Sequence, residues 1–202
     1  MLWDNYAIQA AQAKKLFLSY DQQYLIDKCR LRYDDGYLYT EFLSSPYRVS
    51  RQTGDLQRQH EGQWIDGNSF PEVMTLLDWL CDGKADRFIS GQWVNMVNLG
   101  HTFHTQLQED GDHTYGAIFD AAPQAFCKAC ESMGGKRAHS ADISYAVPLL
   151  DGLEVLIQLW HGDDEFPPRL RCLWDKNTLQ YIRYETTWYA KDLLLDRIKG
   201  YL

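Results

Sequence analysis

The sequence predicts an α+β domain in which antiparallel sheet carries helices packed on one face. Three observations point there. Alternating apolar runs are joined by short Gly-bearing turns, the pattern of antiparallel hairpins. Other stretches repeat apolar residues at steps of three and four, the helical period. The two kinds of segment come in blocks, without the βαβ alternation of a parallel sheet. No Gly-x-Gly-x-x-Gly turn, phosphate-binding loop or Gly-x-Ser-x-Gly elbow occurs, so the usual nucleotide-binding and serine-hydrolase readings fall away.

In order, Trp3, Tyr6, Ala10, Ala13, Phe17 and Tyr20 share one face of a helix over residues 3–19. Asp21 is placed to cap a second, short helix carrying Leu25 and Ile26. Residues 29–33 turn extended, Asp34-Asp35-Gly36 makes a hairpin turn, and residues 37–43 return. Residues 47–51 and 55–59 form a further hairpin around Thr53-Gly54. Ser69-Phe70-Pro71-Glu72 has the capping-box pattern, followed by a helical stripe of Val73, Leu76, Leu77 and Leu80 that stops at Gly83. Residues 82–90 read as loop, and Gly91-Gln92-Trp93 leads into an apolar run over 94–99. Phe119, Ala122, Phe126, Cys130 and Met133 face one way on a helix beginning near Asp120 and closed by Gly134-Gly135. Residues 141–147 alternate as a strand, with Pro148 and Asp151-Gly152 as its turn. Val155, Ile157 and Leu159 then mark a strand over 153–160, and Leu170, Cys172 and Trp174 another over 169–174, with Arg169 and Arg171 on its opposite face. Thr186 or Thr187 caps a last helix whose Ala190, Leu193, Leu194 and Ile198 turn inward, ending at Gly200.

A chain of 202 residues suffices for one domain with a real core, and no linker divides it. A net charge of −8 without any Lys/Arg block opposes phosphate-tracking surfaces, which excludes nucleic acid and anionic membrane as expected partners. No run of about 18 apolar residues and no basic-then-apolar leader occurs, so the expected location is the cytoplasm. Five scattered cysteines fit reducing surroundings. Only Cys127 and Cys130 have ligand spacing, and without a second such pair they read either as buried structural thiols or as a functional pair. No complete cofactor motif is present.

The chemically densest stretch is Trp160-His161-Gly162-Asp163-Asp164-Glu165-Phe166-Pro167-Pro168, between the last two strands. Two prolines stiffen it and Gly162 supplies the turn. Its three adjacent carboxylates have two readings: an Asx-turn and ion pairs to the following arginines, or a ligand site on a rigid loop. Asp163, next to Gly162, is best placed for the Asx-turn, and Glu165 for facing a ligand. His101, His104 and His113 form a separate candidate metal set, His101 and His104 being one helical turn apart.

The run Trp160-x-Gly162-Asp163-x-Glu165-Phe166-Pro167-Pro168 resembles the signature of a bacterial and archaeal family, domain of unknown function 3786. Asp142, Pro148-Leu149 and Gly91-Gln92-Trp93 extend the likeness, although the family more often has Gly-Glu-Trp at the last position. The resemblance implies a fold and a setting in anaerobes. Some members are joined to a four-cysteine iron–sulfur segment like those of corrinoid and electron-transfer proteins, a spacing that these residues lack. The expected function is therefore an accessory or ligand-binding module connected with anaerobic corrinoid or iron–sulfur metabolism, engaging a small molecule or a protein. Candidate ligand-binding residues are Trp160, His161, Asp163, Asp164, Glu165, Arg169, Trp93 and Asp142, with Trp93, Trp160 and Trp174 available to line a pocket for a planar ligand. Two alternatives stand beside it: a metal-assisted or acid–base enzyme using His161 and the acidic loop, and a structural subunit of a larger assembly.

Overall fold

The computed structural model describes residues 2–100 and 113–202. Among them are six α-helices and two five-stranded antiparallel sheets, an α+β fold. The chain forms two compact units, Met1–Phe88 with Gln180–Ala190, and Ile89–Leu179 with Lys191–Leu202. No shift in composition marks that division in the sequence. No helix is long and apolar enough to cross a membrane among the described residues.

The first unit contains α1 (Leu2–Ser19), α2 (Gln22–Cys29) and α3 (Phe70–Asp82). Its sheet is a meander of β1 (Arg32–Tyr33), β2 (Tyr37–Phe42), β3 (Ser45–Ser50), β4 (Leu56–His60) and β5 (Gln63–Asp66). Asp21 caps α2 through the backbone N–H groups of Gln23 and Tyr24. At the start of α3, Glu72 reaches back to accept the Ser69 N–H, as the capping-box pattern requires. Helix α3 buries Val73, Leu76, Leu77 and Leu80 and packs against α1. On α1, Phe17 is buried, whereas Tyr6 stays substantially exposed, so the expected stripe is only partly inward. Strand β5 escapes the period-two reading because Gln63-Trp64-Ile65-Asp66 has no apolar face.

The second unit holds β6 (Trp93–Asn95), α4 (His113–Asp120), α5 (Pro123–Ser132), β7 (Lys136–Arg137), β8 (Ile143–Leu150), β9 (Leu153–Trp160) and β10 (Arg169–Asp175). The strand order is β6-β10-β9-β8-β7. Leu153, Val155, Ile157 and Leu159 of β9 and Leu170 and Trp174 of β10 are buried on one face, where α4 packs on β9 and β10 and α5 on β8. The pleat turns Glu154, Leu156, Gln158 and Trp160 to the other face. There the register sets Arg169 opposite Trp160 and Arg171 opposite Gln158.

Several boundaries differ from the sequence expectation, the first being that Cys29 ends α2 and only Arg32–Tyr33 of the expected extended run 29–33 is strand. The helix expected to begin near Asp120 begins at Pro123, in the N-terminal position where proline is tolerated, and Asp120 instead ends α4. Pro148 lies inside β8, paired with Glu154 beside a bulge, rather than in a turn. It is tolerated because β7 reaches only to Ala146, so one side of the strand has no neighbour at Pro148. Helix α6 (Tyr184–Lys199) starts before the threonines read as its cap: Asp78 accepts the Arg183 backbone N–H at 2.7 Å, and Thr187 Oγ1 donates to the Tyr184 carbonyl. Along α6, Leu195 is buried where Leu193 was expected to be.

Candidate functional site

The β9–β10 hairpin closes through the Trp160 to Pro168 loop, whose shape comes from a few carboxylates. Asp163 Oδ1 accepts the backbone N–H groups of Glu165 at 2.8 Å and Phe166 at 2.7 Å, an Asx-turn. These donors hold the Asp163 carboxyl below its ordinary pKa because they favour the ionised form. The Asp163 N–H in turn donates to the Phe166 carbonyl at 2.9 Å. Gly162 is required for close approach: a Cβ there would stand 2.7 Å from Pro168 Cδ and 2.9 Å from Pro168 N. The loop can double back only with glycine at that position.

Two more acids fix the strand end. Asp142 accepts the His161 backbone N–H at 2.9 Å. Asp120, at the end of α4, accepts from His161 Nδ1 at 2.5 Å and from the Gly162 N–H at 3.2 Å. A carboxylate on Nδ1 fixes the orientation of the imidazole ring. Helix α4 reaches this position because Gly116 lies against the β10 entry, where a Cβ would meet the Pro168 carbonyl oxygen at 3.1 Å. Asp164 and Glu165 are exposed, and Phe166 is 67% exposed.

Beside the loop, the guanidinium carbons of Arg169 and Arg171 lie 5.9 and 5.8 Å from the centre of the Trp160 ring, within cation–π range. The structure thus brings Trp160, His161, Asp142, Asp163, Asp164, Glu165 and Arg169 to one end of the hairpin. Trp93 is elsewhere. It pairs with Asp175, six residues along β10 from Arg169, about 20 Å at the strand rise. Trp174 is fully buried on the helix-covered face. The expected planar-ligand pocket between Trp93, Trp160 and Trp174 is therefore not formed. His101 and His104 lie outside the described residues, as does the His113 side chain. Among the described residues no three His, Cys, Asp or Glu side chains are grouped to hold a metal ion. Cys130 is buried and its thiol pKa is pushed up by desolvation, while Cys127 is half-buried. That environment suits a packing thiol rather than a reactive thiolate.

The family model for a domain of unknown function, DUF3786, matches residues 21–197. The chain belongs to this family. The DUF3786 match runs across both compact units and includes the whole hairpin and its loop. No curated protein and no solved structure matches the chain.

Sequence reasoning missed Asp120 and the importance of Arg171. Asp120 lies 41 residues before His161, and its only signal was an acid closing an apolar helical stripe. Arg171 was visible as the alternate-face partner of Arg169, but its lack of an acceptor is a property of packing.

Proposed function

We propose that this chain is an accessory binding module and that the Trp160 to Pro168 loop is its recognition element. One observation carries the reading. The loop commits Asp163, Gly162 and both the backbone and Nδ1 of His161 to its own shape, and presents Phe166 outward between two free acids and two prolines. A rigid aromatic on a preorganised loop binds without the entropy loss of ordering a flexible one. The matching partner surface is an apolar pocket with a basic rim. The partner we propose belongs to anaerobic corrinoid or iron–sulfur metabolism, a setting supported by the resemblance to DUF3786 proteins alone.

The test is co-purification under anaerobic conditions from a cell that expresses the chain natively. Tagged wild type should elute as a discrete complex with corrinoid or iron–sulfur absorption in the visible range. Phe166→Ala should elute as the free chain with an unchanged Tm. Identical elution of the two as free chain would overturn the reading.

A second reading, acid–base catalysis at His161, is favoured by the Asp120 contact, which orients the imidazole as an enzyme orients a general base. It gives no such role to Asp163, whose carboxylate is occupied by backbone donors. Turnover of any substrate that survives Phe166→Ala and vanishes in His161→Gln would favour this reading over the first.

A further inference from the structure

We propose that exposed Arg169 and half-buried Arg171, two residues apart on β10 on the same face as Trp160, form a binding site for the oxyanion group of a small molecule, a phosphate or a carboxylate. The site adjoins the recognition loop, sharing Trp160 with it, but does not depend on Phe166.

Arg171 supplies the first argument. Its Nε is buried and meets no hydrogen-bond acceptor among the described residues. A buried donor on a charged group is among the costliest to leave unmet, and folded proteins rarely keep one without a reason. The other buried groups in that condition among the described residues, the Thr75 hydroxyl and the Trp79 and Trp174 indoles, are neutral.

The surrounding charges supply the second. In a chain of net charge −8, an arginine pair would ordinarily find carboxylates. Neither Arg169 nor Arg171 forms an ion pair among the described residues, because the acids of the same sheet are held elsewhere. Glu154 pairs with Lys136 at 3.3 Å. Asp175 accepts from the Gly91 and Asn177 N–H groups, both at 2.8 Å, and from Ser90. Asp142 and Asp120 hold the His161-Gly162 backbone. Across the ladder, Arg171 faces Gln158 and then Ser144, both neutral, and the Gln158 amide nitrogen is itself donating to Ser140.

Spacing and rigidity supply the third. Side chains at i and i+2 of a strand rise from the same face about 7 Å apart at their Cα atoms. Two guanidinium forks at that separation can converge on one oxyanion, each offering paired N–H donors. The Trp160 ring, in contact range of both, limits their freedom before any ligand arrives. The overall acidity of the chain disfavours a long polyanion and selects a small ligand.

The experiment titrates the purified full chain with inorganic phosphate and, separately, with succinate, at ionic strength held constant with chloride. Arginine Nε–H resonances are followed by NMR, and Tm is followed in parallel. One of the two anions should move the Arg171 Nε–H signal saturably and raise Tm by mass action. Phosphate alone would indicate a phosphorylated ligand, and succinate alone a carboxylate. Arg171→Lys, which keeps the charge but loses the fork, should weaken binding at least tenfold. Arg171→Met keeps the aliphatic stem and removes the unmet donor, so without added anion its Tm should equal or exceed that of wild type. The proposal is overturned if neither anion gives a saturable shift, if chloride reproduces the effect, or if Arg171→Met lowers Tm. The last result would make the guanidinium a structural group.

Discussion

Arg48 and Arg171 are both half-buried, and each stands beside aromatic rings on the face of a five-stranded antiparallel sheet, yet their surroundings differ in one respect. The Arg48 guanidinium carbon lies 4.0 Å from the centre of Tyr37 and 4.5 Å from that of Trp64, and its Nε donates to Gln57 Oε1 at 2.7 Å. Among the described residues Arg171 has one ring, Trp160, at 5.8 Å, and no acceptor for its Nε. The first arrangement is closed. Ring, guanidinium and amide ladder fasten β2, β3, β4 and β5 together across one face, as cross-strand pairs do. The second is open, with a donor placed and left without a partner. Identical residue types therefore serve cohesion in one sheet and recognition in the other, and the acceptor is what separates the two.

The largest effect that would test this contrast is on the closed side. Arg48→Ala removes two cation–π contacts and a hydrogen bond, and should cost about 2 kcal/mol in urea unfolding at unchanged m-value. Set beside an Arg171→Met variant that loses nothing, that result sharpens the comparison; equal losses would dissolve it. A smaller effect comes from opening the closed site. Gln57→Leu leaves Arg48 Nε without its acceptor, as Arg171 Nε already is, and should cost about 1 kcal/mol, moderated by water reaching a half-buried group. Arg48 and Gln57 should also couple in a double-mutant cycle, since they share that bond. Additive losses would show that the bond contributes nothing of its own.

Legibility followed sequence distance. The β9–β10 hairpin, the Asp21 cap, the α3 stripe and the Asp163 turn could all be read, because each depends on residues within a few positions of one another. The break before Pro123 is not legible, because one apolar stripe, Phe119 through Met133, continues in phase across two helices. Pro148 looked like a turn because the two-residue reach of β7, which makes proline acceptable there, is a tertiary fact. Within the candidate site, the loop residues were legible as a cluster. Asp120 was not, since nothing local ties it to His161, and the open state of Arg171 depends on where Glu154, Asp175 and Asp142 send their oxygens. Alternation shows which face a residue occupies but does not reveal whether its donors are met there.

The smallest expected effect lies within the loop, where Asp163 and Glu165 repeat the contrast between closed and open. Asp163 is held by the Glu165 and Phe166 N–H groups, and Glu165 stands exposed with no partner among the described residues. Those two donors lower the folded pKa of Asp163 below its ordinary 3.8. As pH falls, the unfolded chain therefore takes up a proton on Asp163 before the folded loop does. The stability this provides is complete above the ordinary carboxylate value and is lost as pH falls through the folded one. Asp163→Asn keeps an acceptor oxygen for the turn but never carries the charge. Its Tm should sit slightly below that of wild type at neutral pH, and the two curves should converge on acidification below about pH 4. Glu165→Gln should match wild type at neutral pH, because no bond among the described residues depends on its charge. Thermal melts of the three chains across that range check both statements. A gap for Asp163→Asn that persists undiminished in acid would mean that the side-chain amide disturbs the turn sterically, and equal losses for both variants would make Glu165 part of the scaffold it is expected only to decorate.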